Sequence, residues 1–380
     1  MLTMNELNLN NKRVLIRLDL NVPIHNGKIT SNARIKSVLP TIRMASQKNA
    51  KVILMSHLGQ PKKEQYEKKF SLWPVFQELQ NQLSELKLRF TDNFDDVNHL
   101  DNGEICLLEN VRFNKGETKN STSLSKLYAN LCDIFVMDAF GSAHRIHSST
   151  YGVAMFARIK CAGPLLINEI NILEKALTNP KRPMVAIVGG AKISTKFNIL
   201  HSLKNIADTI IVGGGIANTF IAVNNEVGKS LCEKEYITEA KKILMTNKII
   251  IPIDSRVSTS FNKDSVAILK NIDDINLNEE IMDIGIQSEK NITKIILNAK
   301  TILWNGPLGV FEFPNFSHGT KALAKAVSKS AGFSIAGGGD TINAIEKFQV
   351  KKNISYISTG GGSFLKFLEK KTLPCIDILK

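Results

Sequence analysis

VAIVGGAKISTKFNIL, residues 185–200, runs four apolar residues into a glycine pair, then a lysine, then a stretch of helical composition. A buried strand that turns into a helix at Gly189-Gly190 is the building unit of a parallel α/β sheet. Lys192 stands at the turn. Alone, a lysine after two glycines reads as a solvated loop residue. The same pattern recurs as TIIVGGGIANTF (209–220), FSIAGGGDTINAI (333–345) and SYISTGGGSFLKFL (355–368). One glycine pair after a strand signals no more than a tight turn. Four at one structural station point to ligand binding beyond the strand ends, with backbone N–H groups offered to an anion. A nucleotide site in this half follows.

Two familiar nucleotide motifs are absent. Gly228-Lys229-Ser230 has the tail of a P-loop, but the required earlier glycine is Val223, so Gly228 reads as a turn. None of the glycine triplets continues as a dinucleotide fingerprint, which removes a dehydrogenase.

Working outward, short apolar runs alternate with helix-length segments throughout. The expected strands are Val14–Leu18, Lys51–Met55, Ile105–Leu108, Ile134–Met137, Val185–Val188, Thr209–Val212, Ile249–Ile251, Thr301–Trp304, Phe333–Ala336 and Tyr356–Ser358. Nearly continuous apolar strands belong to parallel sheets covered on both faces. Ten of them in 380 residues divide into two α/β domains. The boundary falls near CAGPLLINEINILEKALTNPKRPMVA (161–186). The helical run there reads either as a hinge between lobes or as an ordinary helix within one.

The first half carries different chemistry at its strand ends. VLIRLDLNVP brings Asp19 and Asn21, VILMSHLGQP brings His57, CLLENVRF brings Arg112, and FVMDAFGSAHRIHSST brings His144 and Arg145; Arg34 lies in ITSNARI. Guanidinium groups match phosphate and carboxylate oxygens. Their clustering with short polar residues describes a pocket for a small, hydroxylated, multiply charged acid. His144 and His147, three apart with no third ligand in view, read as structural or anion-contacting rather than as a metal pair.

Composition narrows the class further. No apolar run is long enough to span a bilayer, and MLTMNELNLNNKRV lacks the apolar centre of a signal peptide. Five widely spaced cysteines without a CxxC pair fit a reducing cytosol. The net charge of +14 is scattered rather than gathered in a tract, so small anions account for it without nucleic acid.

The motifs RVLIRLDLNVP, SHLGQP, LLENVRFNKGE, VMDAFGSAHR, IVGGAKISTK, IVGGGIANTF, ILWNGPLGVFE, AGGGDT and ISTGGGSFL follow one another from residue 13 to residue 365. In that order they resemble the phosphoglycerate kinase family over essentially the whole chain. The resemblance implies two Rossmann-like lobes, each a parallel sheet flanked by helices, joined by a hinge helix. Residues 1–163 would bind the phosphoglycerate, with 363–380 packing back on them, and 164–362 would bind nucleotide. It implies Mg2+-dependent phosphoryl transfer between 1,3-bisphosphoglycerate with ADP and 3-phosphoglycerate with ATP, by a cytoplasmic monomer with no nucleic-acid or membrane partner.

Carried over motif by motif, Asp19, Leu20 and Asn21 would hold the glycerate end of the acid. Arg34, His57, Leu58, Gly59, Gln60, Arg112 and Arg145 would surround its phosphate and carboxyl, with Arg34 also near the transferring group. Lys192 would meet the moving phosphoryl group and Lys196 the nucleotide phosphates. Asn305 and Thr341 would contact phosphates, Glu312 the ribose, and Gly338 and Gly339 would donate backbone N–H groups. Asp340 would bind magnesium, and Gly214 and Gly215 would wall the adenine pocket. The chain departs from the family at Gln60, where arginine is common, with Lys62 or Lys63 as the compensating charge. It departs again at Asn168, where many members have lysine, and in its short ending after LPCIDILK. Two other readings stay open. One is a kinase of this architecture acting on another carboxylic acid. The other is a degenerate relative that binds nucleic acid through its positive surface.

Overall fold

The computed structural model describes Met1–Lys380 apart from Lys63 and Thr359, so the compensating role raised for Lys63 lies outside the described residues. The chain forms two compact units, Met1–Ile172 with Thr372–Lys380, and Leu173–Lys371. The helix Pro164–Thr178 runs from the first unit into the second, and the last nine residues return to the first.

The first unit is built on β1 (Arg13–Arg17), followed by a small hairpin of β2 (Ile24–His25) and β3 (Lys28–Ile29). Then come β4 (Lys51–Met55), β5 (Leu88–Thr91), β6 (Ile105–Leu108), β7 (Ile134–Met137) and β8 (Ile159–Ala162). Six of these form one parallel sheet in the order β5-β6-β4-β1-β7-β8. β1 is central, with β4 on one side and β7 on the other. The strand order reverses there, which opens a crevice beyond the carboxyl ends of the central strands. β6 and β7 are buried along their whole length, as helices covering both faces require.

The second unit repeats the scheme with β9 (Met184–Val188), β10 (Thr209–Val212), β11 (Ile249–Ile250), β15 (Thr301–Asn305), β16 (Phe333–Gly337) and β17 (Tyr356–Ser358), ordered β11-β10-β9-β15-β16-β17. Trp304 is fully buried in its core among Ile187, Ile302 and Leu323. Between β11 and β15 the chain inserts an antiparallel sheet, β13-β12-β14, from β12 (Asp254–Ser258), β13 (Ile268–Asn271) and β14 (Glu280–Ile284).

All ten expected strands are present within a residue or so. The antiparallel sheet, β5 and β8 were not expected from apolarity. The reason is visible in β12, DSRVS, whose five residues are buried although four are polar. Asp254 accepts from the N–H groups of Gln287 and Ser288 at the start of the helix Ile286–Asn298, and Arg256 pairs with Glu289. Partners rather than hydrophobicity bury this strand.

Candidate functional site

In the first unit the strand-end loops interlock through side chain to backbone hydrogen bonds. Arg34 Nη1 donates to Asp19 Oδ1 at 3.0 Å and to the carbonyl of Asn21 at 2.8 Å, and the Asn21 N–H donates to Asp19 Oδ1. Asn21 Oδ1 in turn accepts from the Gly59 N–H at 2.9 Å, joining the loop after β1 to the loop after β4. Leu20 is fully buried and offers the site only its backbone, whose N–H donates to Ser56 Oγ. Arg112 Nη1 donates to the Gly59 carbonyl, while its buried Nε has no hydrogen-bond partner among the described residues.

Asn110 was not selected from the sequence, yet it ties these loops together. Its Oδ1 accepts from the N–H groups of Leu58 and Arg112, and its Nδ2 donates to the carbonyls of Leu58 and Phe70. An asparagine immediately past a buried strand was the available signal. Gln60, Lys62, Arg112, Arg145, His147, Thr118 and Lys119 line one cavity of about 620 Å³. Glu64, also on its wall, has its carboxylate engaged by the N–H groups of Gly116 and Thr118. The cavity is therefore strongly positive.

Charge crowding shapes the imidazoles. Burial first, then the neighbouring guanidinium groups of Arg17, Arg112, Arg145 and Arg34, hold His57 well below the usual histidine range. Burial beside Arg145 and Arg112 brings His147 down to about 4. Burial lowers Arg112 only to about 10, so it remains a cation at neutral pH. Asp138, at the end of β7, accepts from Leu165 N–H, Leu166 N–H and Thr41 Oγ, and so anchors the helix Pro164–Thr178.

In the second unit the glycines first serve one another. A Cβ on Gly189 would lie 1.8 Å from the Pro307 carbonyl oxygen, and one on Gly215 would lie 2.0 Å from the Ala191 carbonyl oxygen. The turns after β9, β10 and β15 thus pack backbone against backbone, which no side chain permits. Hydrogen bonds from Gly189 N–H to Asn305 O and from Ile216 N–H to Gly190 O close the assembly. Gly228 has φ +56 and bridges to Glu280 at the antiparallel sheet, as the turn reading required.

Lys192 lies exposed on this platform, its loop clamped by Glu233, whose carboxylate accepts from Ser194 N–H and Oγ at 2.7 Å each. Lys196 is half-buried and donates to Gly189 O at 2.5 Å and Asn305 O at 3.4 Å. Burial, opposed by the charge of Asp340, brings its ammonium down to about 8. Asp340 is exposed in the first turn of the helix Gly339–Lys347, and Gly339 beside it faces open space. Asn305 and Thr341 also serve the fold. Both are 1% exposed; Asn305 Nδ2 donates to Gly337 O and Thr341 Oγ1 accepts from Gly306 N–H, so each braces a turn. Glu312 is exposed beyond β15, and Gly214 packs on the Gly190 carbonyl.

A basic pocket thus lies at the strand ends of one sheet, and packed glycine turns around half-buried Lys196 lie at those of the other. The family model described as phosphoglycerate kinase matches residues 4–371. The chain belongs to the phosphoglycerate kinase family. It is 60% identical over 378 residues to a phosphoglycerate kinase of Buchnera aphidicola subsp. Schizaphis graminum, covering 99% of this chain and 97% of that protein. The relative from Buchnera aphidicola subsp. Baizongia pistaciae is 57% identical over 375 residues, covering 99% and 95%. The solved phosphoglycerate kinase of Coxiella burnetii superposes with a TM-score of 0.92 at 49% identity, covering 100% of this chain and 98% of that one. That of Pyrococcus horikoshii OT3 does so with 0.82 at 30%, with the same coverage. The two-lobed α/β fold is that of the phosphoglycerate kinases, and the chain is a glycolytic kinase. No helix among the described residues is long and apolar enough to cross a membrane. Within this family frame Arg17, Asn110, Glu117 and Ser149 are residues that motif reading passed over and hydrogen bonding brings forward.

Proposed function

We propose that the chain transfers a phosphoryl group reversibly between 1,3-bisphosphoglycerate with ADP and 3-phosphoglycerate with ATP, the acid on the first unit and the nucleotide on the second. The observation that carries this reading is the set of three guanidinium groups, Arg34, Arg112 and Arg145, that neighbour buried His57. Such a pocket has its natural occupant in an acid bearing phosphate and carboxylate charges. Asp19, Asn21 and the backbone of Leu20 would orient the glycerate hydroxyl end. Arg34, His57, Leu58, Gly59, Gln60, Arg112 and Arg145 would hold its charged ends.

On the other unit Lys196, Gly338, Gly339, Asn305 and Thr341 would shape the phosphate site, Asn305 and Thr341 through the turns they brace. Glu312 would meet the ribose, and Gly214 and Gly215 the base. Lys192 is exposed, and would meet the phosphoryl group in flight. Catalysis of this step is mostly positioning and electrostatic stabilisation of the equatorial oxygens. The attacking carboxylate is already ionised at neutral pH, so no general base is needed. Asp340 offers the hard, exposed oxygen that Mg2+ prefers and would hold the ion with nucleotide phosphates, where it would neutralise their charge.

The acid and the phosphoryl donor belong to different units, and reacting atoms must approach to about 3–3.5 Å with water excluded. Closure about the helix Pro164–Thr178 and the segment after Gly362 would achieve this, in a monomer working in the cytoplasm. A second reading, another carboxylic acid as acceptor, draws on Gln60, which brings no charge to its cavity. ADP formation from ATP and Mg2+ separates the two when 3-phosphoglycerate is compared with other carboxylic acids. Turnover with 3-phosphoglycerate exceeding the others supports the proposal. Absence of turnover with it in folded protein refutes it.

A further inference from the structure

Arg17 ends β1, and its register partner on β4 is Met55, two residues before His57. Its side chain is 2% exposed, an unusual place for a guanidinium, and every arm is engaged. Nε donates to Ser149 Oγ at 3.1 Å, Nη1 donates to the Leu18 carbonyl, and Nη2 lies 3.2 Å from His57 Nδ1. The other end of this chain is equally fixed. Ser149 donates from Oγ to Glu117 Oε1 at 2.5 Å and from its N–H to Glu117 Oε2 at 3.0 Å. Glu117, Ser149, Arg17 and His57 thus form one buried relay that links the end of β1 to the loops after β6, β7 and β4.

The contact between Arg17 and His57 has a single chemical meaning. Arginine has five N–H donors and no acceptor, so His57 Nδ1 must accept. A ring nitrogen that accepts carries no proton, and the ring is neutral among the surrounding guanidinium groups. Its one proton therefore sits on Nε2. We infer that Arg17 is a positioning residue: through His57 Nδ1 it fixes His57 as the Nε2–H tautomer, so that the ring meets the bound acid as a neutral hydrogen-bond donor. A mixed or Nδ1–H population would present a lone pair to phosphate oxygens and repel them. Arg34, Arg112 and Arg145 supply the charge of the site, and Arg17 acts through the imidazole. This rests on His57 touching the acid, as proposed above.

The tautomer can be read without any activity. In full-length wild-type protein labelled with 15N-histidine, long-range 1H–15N correlation distinguishes the three ring states, and comparison with His57→Asn assigns the signal among seven histidines. A protonated Nε2 with an unprotonated Nδ1 near neutral pH is expected. An Nδ1–H ring, a mixture or an imidazolium overturns the inference, whatever the assay shows. The functional arm is a double-mutant cycle of Arg17→Gln and His57→Ala, with Arg17→Lys as the conservative variant. Arg17→Gln should raise KM for 3-phosphoglycerate about tenfold, the effect of one charged hydrogen bond, with KM for ATP unchanged. In the His57→Ala background the same change should do much less. Arg17→Lys, which keeps a donor for Nδ1, should recover part of the loss. Equal effects in both backgrounds would show that Arg17 does not act through His57. A wild type inactive toward 3-phosphoglycerate but showing the Nε2–H ring would refute the proposed reaction and leave the tautomer assignment standing.

Discussion

Lys196→Met is expected to stabilise the second unit while removing most of its activity. Lys196 is half-buried, and the descent of its ammonium from 10.5 to about 8 reflects an unfavourable environment for the charged form. At 1.36 kcal/mol per decade, that is about 3 kcal/mol at neutral pH. Methionine has similar length and buries without this penalty. Its drawback is the Gly189 carbonyl, which loses the lysine donor; Asn305 O keeps the Gly189 N–H at 2.9 Å. One stranded carbonyl costs about 1–2 kcal/mol, leaving a net gain of about 1–2 kcal/mol.

The pH dependence fixes the sign. Folding lowers this pKa, so between about 8 and 10.5 the unfolded chain binds more protons than the folded one. Wild-type stability then rises with pH through that window, and the variant's advantage shrinks across it. Urea unfolding followed by tryptophan fluorescence measures this, with Trp73→Phe as the parent so that buried Trp304 reports on the second unit alone. Turnover should fall on the order of a hundredfold or more if the ammonium stabilises nucleotide phosphates. A variant less stable than its parent by about 1 kcal/mol or more at neutral pH, or an advantage that does not change between pH 8 and 10.5, would refute the reasoning.

Other expectations follow from the same geometry. His147, held near 4 by burial and arginine neighbours, stays neutral when folded while the unfolded ring titrates near its ordinary value of 6.5. Its contribution, up to about 3 kcal/mol, is present above pH 6.5 and lost as pH falls toward 4, so His147→Gln should flatten the stability profile across that range. Asp138→Ala strands the buried Leu166 N–H, the half-buried Leu165 N–H and the Thr41 hydroxyl, and should lower the unfolding free energy of the first unit by about 3 kcal/mol or more. Unchanged stability would show that the helix Pro164–Thr178 does not depend on this anchor. Gly189→Ala forces the Pro307 carbonyl away, and should weaken nucleotide binding measured by calorimetry along with about 1–3 kcal/mol of stability. Wild-type affinity would mean that the turns tolerate separation.

The sheets of both units were legible because their strands are apolar runs followed by turn residues, as in VAIV before Gly189 and IFVM before Asp138. Strand β12 was not, because DSRVS is buried by Arg256–Glu289 and by Asp254 at a helix start, and pairings 33 and 34 residues apart leave no local pattern. The charged residues of the site were legible for a similar reason: arginines and a histidine at strand ends are conspicuous. What they do locally was not. Asn305 and Thr341 look like ligand contacts in sequence, and in the structure their side chains also brace turns. Asn110 and Arg17 look like scaffold in sequence, and they hold the loops and the imidazole that face the pocket. The glycines follow the same rule, since close packing of Gly189 on Pro307 depends on a residue more than a hundred positions away.

The central claim is that exposed Lys192, carried by the Gly189-Gly190 turn, stabilises the phosphoryl group during transfer. Steady-state kinetics of Lys192→Ala beside wild type, with ATP, Mg2+ and 3-phosphoglycerate in a coupled assay for ADP, test it most directly. A kcat lower by about a thousandfold or more is expected, with little change in KM for ATP and an unaltered fold. A near-normal kcat with a raised KM for ATP would contradict it, reducing Lys192 to a counter-charge for bound phosphates.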